Sequence, residues 1–278
     1  MQWNIITDSS CDMLDFKNQN TNISFSSIPF VISVGTKDYV DDETLNVPEM
    51  ITAMEKCENA SHTSCPPPYA WYKQFEKPGY SIAVTISSKL SGSYNSAHTA
   101  KNMILEQDSE KKIVLIDSRS AGPEIVLIVK RLCELIEAGN NFDSVVEKTE
   151  EYIRHTHIIF ALSSFNNLVK NGRMSKIAGF IAGKLGFWGI GIGSEEGKIQ
   201  IKQKTRGNGK ALDAIITDMK EREIKYGTVV ISHCQNAELA ERLKNAIQNI
   251  WHDVKVKIVP TRGLCSYYAE RGGLIVSY

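Results

Sequence analysis

Residues 82–107 read IAVTISSKLSGSYNSAHTAKNMILEQ. The apolar run from Ile82 to Ile86 predicts a buried strand, and the segment from Leu90 to about Gln107 predicts a helix after it. This order is typical of a strand and its crossover helix in a parallel sheet. A loop that opens a helix at the carboxyl edge of such a sheet is where α/β proteins bind anions, so residues 90–97 are a candidate binding site.

The same alternation of strand and helix extends to both sides of this segment. Apolar runs followed by polar turn residues predict strands, and apolar stripes that open with a proline predict helices. We therefore expect an N-terminal α/β domain over residues 1–156, built on a doubly wound and mostly parallel sheet. The predicted strands lie at Trp3–Thr7, Ile28–Val34 and Ile113–Ile116, and the predicted helices follow Pro48 and Pro123 and span about Phe142–His155.

The second half of the chain has a different pattern, with two helices among strands that can form hairpins. This pattern predicts a C-terminal α+β domain over residues 157–278. Two packed domains leave a cleft between them, which is the default place for a ligand. The predicted elements are strands at 158–162, 198–203, 228–232, 254–259 and 274–278, a helix at about Ser175–Leu185, and a helix before each of the strands at 228 and 254.

Composition excludes several classes of protein. Lysine plus arginine and aspartate plus glutamate both number 32, so the formal net charge is zero and no overall electrostatic field attracts nucleic acid. The six cysteines are scattered without a C-x-x-C pair, which is typical of reduced thiols and favours the cytoplasm. The N-terminus lacks the pattern of a secretion signal, and no apolar run is long enough to span a membrane.

Two polar loops are candidates for binding a ligand. In Thr63-Ser-Cys-Pro-Pro-Pro68, prolines fix an extended backbone that can hold the hydroxyls of Thr63 and Ser64 toward a ligand. In the second loop, Ser91 and Ser93 lie beside exposed helix amides that favour a carboxylate or a phosphate. The alternatives are a plain surface turn for the first loop and a helix cap without ligand for the second.

Other patterns do not support catalysis or nucleotide binding within this chain. The glycines from Gly183 to Gly193 match neither the G-x-G-x-x-G nor the G-x-x-x-x-G-K-[ST] spacing of nucleotide-binding loops. They favour a turn and a hairpin. The segment 206–210 lacks the Walker spacing, and no G-x-S-x-G elbow of a hydrolase is present. His155 and His157 have no third metal ligand beside them, so a structural or exposed role is favoured over a metal role.

Taken together and in order, six short segments resemble the DegV family over essentially the whole chain. The resemblance implies two domains, the first similar to domains of dihydroxyacetone kinases and mannose-type phosphotransferase components. It also implies a buried long-chain fatty acid such as palmitate, stearate or oleate, no cofactor, and no catalysis by this chain. The segments are Ile5-Ile-Thr-Asp-Ser-Ser10, Thr63-Ser-x-Pro66, Leu90-Ser-Gly-Ser-Tyr94, Ile116-Asp-Ser118, Asn171-Gly-Arg-Met-Ser175 and Thr205-Arg206.

The resemblance also implies residue roles. Family members serve a separate ATP-dependent kinase that phosphorylates the bound carboxylate for phospholipid synthesis. Thr63 and Ser91 match the positions that hold the carboxylate, and Arg173 and Arg206 match arginines near the tunnel mouth that meet the kinase or the acyl phosphate. Ser64, Gly92 and Ser93 are expected to supply further hydrogen-bond donors to the carboxylate or to shape its site.

One departure from the family puts the kinase role in doubt. Members that serve a kinase have a histidine before the last strand, where Tyr268 stands here with Arg262 and Ser266 nearby. A phenol can donate the same hydrogen bond to a carboxylate. The alternatives are a lipid-sensing regulator without a kinase partner, and a phosphotransfer-type subunit that acts on a small polyol.

Overall fold

The computed structural model describes residues 1–57, 61–174, 186–225 and 227–278. The predicted helix at Ser175–Leu185 lies outside these residues. The strands are β1 (Trp3–Asp8), β2 (Ile23–Ile28), β3 (Val31–Val34), β4 (Lys37–Val40), β5 (Ser61–Ser64), β6 (Tyr80–Thr85), β7 (Ile113–Asp117), β8 (Ile158–Leu162), β9 (Phe187–Gly193), β10 (Ile199–Arg206), β11 (Gly227–His233), β12 (Val254–Pro260) and β13 (Leu274–Ser277). The helices are α1 (Val47–Lys56), α2 (Pro68–Phe75), α3 (Ser93–Gln107), α4 (Pro123–Glu137), α5 (Phe142–Ile153), α6 (Asn166–Lys170), α7 (Asn208–Glu221), α8 (Ala237–Ile250) and α9 (Gly263–Ala269).

The N-terminal half contains a parallel four-stranded sheet in the order β2-β1-β6-β7. Successive residues of its strands face opposite sides, as the two-residue period of a strand requires. Ile5 packs in a cluster with α4, whereas Ile6 packs in a cluster with α2 and α3. Helices therefore cover both faces, which confirms the predicted doubly wound α/β architecture.

The single strand predicted at Ile28–Val34 is wrong. The structure has two strands there, and they belong to different sheets. β2 ends at Ile28, and Pro29 separates it from β3, which pairs with β4 and β5 in an antiparallel three-stranded sheet. Proline cannot donate to a strand ladder, so it favours this break.

The C-terminal half contains a mixed six-stranded sheet in the order β10-β9-β8-β13-β11-β12. Among the described strands of this sheet, only the β11–β12 pair is parallel. β9 and β10 form a hairpin, as the glycine-rich run predicted for its described part. Successive residues of β8 again face opposite sides. Ile159 packs in a cluster with α7 and α8, whereas Phe160 packs in a cluster with residues of α1, β3 and α9.

The segment before α9 ties the end of the chain to the N-terminal half. The side chain of Asp41 accepts hydrogen bonds from the amides of Gly263 and Leu264, each at 2.8 Å, and so satisfies the start of α9. Asp12 accepts a bond from the amide of Arg262, also at 2.8 Å. α9 is thereby fixed beside β5, which positions its two tyrosines.

Within the described residues, no helix has the length and apolar character needed to cross a membrane.

Candidate functional site

A cavity of about 840 Å³, the part open to solvent included, is lined by residues from both halves of the chain. Its wall is mostly aliphatic and aromatic. Such a wall suits an apolar ligand, because burying apolar surface is the main favourable term in binding it. Apolar lining residues include Phe30, Ile86, Phe160, Leu162, Ile199 and Ile275.

A few polar side chains line the same cavity. Thr63 from β5 and Tyr268 from α9 lie with their hydroxyl oxygens 2.9 Å apart. Burial raises the pKa of the Tyr268 phenol, so this group is protonated at neutral pH and able to donate. Ser91 lines the cavity as well. The structure therefore brings together three of the predicted carboxylate-binding residues.

The loop that carries Ser91 is held by its own hydrogen bonds. The amides of Leu90 and Ser91 both donate to the carbonyl of Ser87, at 3.0 and 3.2 Å. The Ser91 hydroxyl accepts a bond from the Ser93 amide at 3.2 Å, at the first turn of α3. Since a hydroxyl has two lone pairs and one hydrogen, Ser91 can still donate to a ligand oxygen.

The structure does not place the other predicted donors on the cavity wall. Ser93 is fully buried and donates to the Asp8 carboxylate at 2.6 Å, which commits its hydroxyl to the interior of the first domain. Ser64 is exposed at the end of β5. Gly92 is also exposed, and a Cβ added there would meet Cys65 Sγ at 3.5 Å.

The two predicted arginines occupy different places. Arg173 lines the cavity, and its Nε donates to the Leu90 carbonyl at 3.1 Å, beside the Ser91 loop. Arg206 is exposed at the end of β10 and does not line the cavity. Its guanidinium lies 5.5 Å from the ring centroid of Phe187, itself an exposed residue.

Sequence reasoning missed two cations and one supporting carboxylate. Arg119 and Lys198 also line the cavity. Asp8 is fully buried, and its carboxylate accepts hydrogen bonds from the Ile86 amide at 3.0 Å and from the Ser93 hydroxyl. These bonds fix the end of β6 against the start of α3. Its position at the end of β1, in the segment Ile5–Ser10, was the available signal. Burial raises the pKa of this carboxyl.

The described residues contain no group of three His, Cys, Asp or Glu side chains arranged to hold a metal ion. His155 and His157 each have another partner. His155 Nε2 lies 3.0 Å from Glu151 Oε1, and His157 Nδ1 lies 3.2 Å from a guanidinium nitrogen of Arg222. These contacts, with the His155 side chain exposed, agree with the structural or exposed role predicted for the two histidines.

Comparison with known proteins is consistent with this architecture. The family model described as "Uncharacterised protein, DegV family" matches residues 2–278. The chain belongs to the DegV family. A DegV domain-containing protein of Streptococcus pyogenes serotype M1 is 38% identical over 278 residues, which is 100% of this chain and 99% of that protein.

Solved structures of DegV proteins superpose closely on this chain. The Streptococcus pneumoniae fatty acid kinase (Fak) B3 protein, loaded with linoleic acid, has a TM-score of 0.97 at 38% identity, covering 100% of this chain and 99% of that one. A DegV family protein from Eubacterium eligens, loaded with heptadecanoic acid, has a TM-score of 0.93 at 33% identity, covering 99% and 98%. Both similarities extend over essentially the entire length of this DegV chain.

Proposed function

We propose that this DegV protein binds one long-chain fatty acid in its cavity and presents the carboxylate to a partner, an ATP-dependent fatty acid kinase. It acts as a carrier in the cytoplasm and catalyses no reaction itself. The observation that carries the proposal is the pairing of an apolar cavity with the hydroxyls of Thr63, Tyr268 and Ser91 on its wall. Two DegV relatives that hold fatty acids support it.

The energetics favour this ligand class. Burying about fifteen methylenes at ~0.8 kcal/mol each offers roughly 12 kcal/mol of gross transfer free energy, before the entropy cost of binding. Burying a carboxylate costs several kcal/mol unless its oxygens accept hydrogen bonds. Hydroxyls of Thr63, Ser91 and Tyr268, with the guanidinium of Arg173, supply donors of the required kind.

The apolar wall separates this proposal from a phosphotransfer role. A small polyol has no alkyl tail to fill the cavity, and its hydroxyls require more polar partners than the wall offers. The proposed kinase partner is supported by the relative that is a fatty acid kinase B3 protein. Tyr268, where kinase-serving members have histidine, is proposed to provide the same hydrogen bond to the carboxylate.

Native mass spectrometry of the purified protein tests the ligand class. We expect a co-purifying mass that corresponds to one long-chain fatty acid, and its recovery by solvent extraction. A protein that carries no lipid and takes up no palmitate after delipidation contradicts the proposal. Reconstitution with a candidate kinase, ATP and palmitate then separates a kinase substrate, which yields acyl phosphate, from a lipid-sensing regulator, which does not.

A further inference from the structure

Tyr267 joins three elements of the site without lining the cavity. Its side chain is fully buried, and its hydroxyl lies 2.8 Å from Ser61 Oγ. The same hydroxyl accepts a hydrogen bond from Asn171 Nδ2 at 2.9 Å, and its backbone carbonyl accepts one from Asn167 Nδ2 at 2.8 Å. One phenol therefore connects β5, α9 and the end of α6.

β5 and α9 each carry one polar residue of the cavity, and the turn after α6 leads to a third. Ser61 and Thr63 are two residues apart on β5, so their side chains project to the same face of the strand. Tyr267 and Tyr268 are consecutive, and their rings form an edge contact with centroids 4.9 Å apart. Two adjacent tyrosines of α9 thus contact two alternate hydroxyls of one strand.

The third connection leads to Arg173. Asn171 binds the Tyr267 hydroxyl through its side chain, and its carbonyl accepts a hydrogen bond from the Arg173 guanidinium. That guanidinium also reaches the Leu90 carbonyl, next to Ser91. The Tyr267 phenol is therefore linked to three residues of the cavity. Its partners Ser61 and Asn171 are each two residues from Thr63 and Arg173, and Tyr267 itself is adjacent to Tyr268.

We propose that Tyr267 is a positioning residue for the fatty-acid head group. Its hydroxyl holds Thr63, Tyr268 and Arg173 in the arrangement that one carboxylate needs, although it does not touch the ligand. This inference rests on the proposed function. Hydrogen bonds weaken steeply when their geometry departs from the optimum, so a small loosening of the three segments lowers carboxylate binding selectively.

The chemistry of the Tyr267 phenol fits this role. Burial raises its pKa, so it stays protonated at neutral pH. A protonated phenol donates one hydrogen bond and accepts others. It can therefore donate to Ser61 while it accepts from Asn171, which satisfies all three groups.

Substitution Tyr267→Phe, measured with two ligands, tests the proposal. Delipidated protein is loaded with palmitic acid or with hexadecan-1-ol, and release into phosphatidylcholine vesicles is timed. We expect palmitic acid to leave about tenfold faster than from the wild type, and hexadecan-1-ol less than about twofold faster, because only the acid depends on the full donor set. Purely structural loosening accelerates both ligands alike.

Tyr278→Phe is the matched control. Tyr278 is another buried tyrosine whose hydroxyl donates to a carboxylate, that of Asp218, away from the cavity. The substitution Tyr278→Phe should lower stability without changing the ratio of the release rates of palmitic acid and hexadecan-1-ol. If Tyr267→Phe fails to fold, Asn171→Ala removes one partner of the same phenol and should change the ratio in the same direction.

The outcomes separate the two proposals. Equal acceleration of both ligands by Tyr267→Phe, or by Asn171→Ala in its place, overturns the positioning role alone. Failure of the wild type to retain palmitic acid overturns the proposed function and with it this inference. A selective loss of palmitic acid in the Tyr267 or Asn171 variant, with an unchanged ratio in Tyr278→Phe, supports both.

Discussion

The hydroxyl oxygens of Thr63 and Tyr268 lie 2.9 Å apart, although the two residues are 205 positions apart in the chain. The pair has two hydrogens, and one of them forms the shared bond. The second is left to donate outward, so the pair offers one hydrogen bond to a carboxylate oxygen. Ser91, in the loop before α3, can donate another, and the carboxylate of the proposed fatty acid would accept both.

Tyr268→Phe tests the tyrosine of this pair. The ring still lines the cavity, but the Thr63 hydroxyl loses the phenol that orients it. The remaining Thr63 donor is then less well aimed at the carboxylate, so we expect palmitate affinity to fall by about three- to tenfold, or roughly 1 kcal/mol. Tyr268→His restores a donor and should recover most of the affinity. Equilibrium dialysis with labelled palmitate measures both variants. Unchanged affinity in Tyr268→Phe contradicts the proposed role of the phenol.

Removing the hydroxyls of Thr63 and Ser91 together tests the rest of the head-group site. We expect Thr63→Val with Ser91→Ala to lower palmitate retention by about tenfold or more, since each lost donor costs about 1 kcal/mol or more against a charged group. Thr99→Val with Ser109→Ala, both exposed, is the control and should retain wild-type lipid. Native mass spectrometry reports the bound fraction, and circular dichroism reports the fold. Full lipid content in the first variant would remove both residues from the site.

The two arginines are expected to separate binding from transfer. Arg173 lines the cavity, so Arg173→Ala should weaken palmitate binding and lower acyl-phosphate formation by a kinase. Arg206 does not line the cavity, so Arg206→Ala should lower only acyl-phosphate formation. Trapping acyl phosphate as the hydroxamate measures the second property. Arg154→Ala, at an exposed ion pair with Glu151, is the control. A loss of palmitate binding in Arg206→Ala would contradict this division.

Local sequence patterns predicted the strands and helices well where one segment alone determines them. The strand Ile82–Ile86 and the helix to Gln107 have their counterparts in β6 and α3, because apolar period and helix length are local properties. The break at Pro29 divides a continuous apolar run between two sheets. That outcome depends on β4 and β5, which are distant partners that periodicity cannot reveal.

The site was predictable in part for the same reason. Thr63 lies on β5 and not in the loop that the following prolines predicted, whereas Ser91 lies in the predicted loop before α3, and both residues line the cavity. Ser93 stands in the same loop as Ser91, but its hydroxyl turns inward because the buried Asp8 carboxylate needs a donor. Tyr267 gave no signal in the sequence, since its partners Ser61 and Asn171 come from two remote segments.

Asp12 should make stability depend on pH. Its carboxyl is fully buried, and burial raises its pKa to about 7. An unfolded aspartate titrates at about 3.9, so between about pH 4 and about pH 7 the native state binds a proton that the unfolded state lacks. The contribution of Asp12 to stability therefore falls as pH rises through this interval and stays constant above it.

Asp12→Asn isolates that contribution. Asparagine carries no charge, and its carbonyl can still accept the hydrogen bond from the Arg262 amide. Urea unfolding at pH 5 and pH 7.5 should show that the wild type loses on the order of a few kcal/mol more than the variant. Asp41, whose pKa is also raised by burial, is present in both proteins. Parallel pH dependence in the two proteins would exclude Asp12 as the source.

Gly191 should limit the space for the acyl chain. It pairs with Phe160 across β8 and β9, and a Cβ at Gly191 would lie 2.3 Å from two atoms of the Phe160 ring. That ring lines the cavity. Gly191→Ala must therefore displace the ring or the strand, at a cost of about 1–3 kcal/mol in stability. We expect the displaced ring to narrow the cavity and to weaken palmitate binding more than decanoate binding, because only the longer chain needs the full length.

A second substitution distinguishes loss of space from general damage. Phe160→Leu removes the ring atoms that the new methyl group meets, and the Gln200 carbonyl at 2.9 Å remains, so Gly191→Ala with Phe160→Leu should regain part of the palmitate binding. Phe160→Leu alone supplies the baseline, and thermal unfolding of all three variants gives their stabilities. Because contacting residues couple energetically, the double variant should be more stable than the sum of the single effects predicts. If the double variant binds palmitate as weakly as Gly191→Ala, the Phe160 ring is not what restricts the cavity.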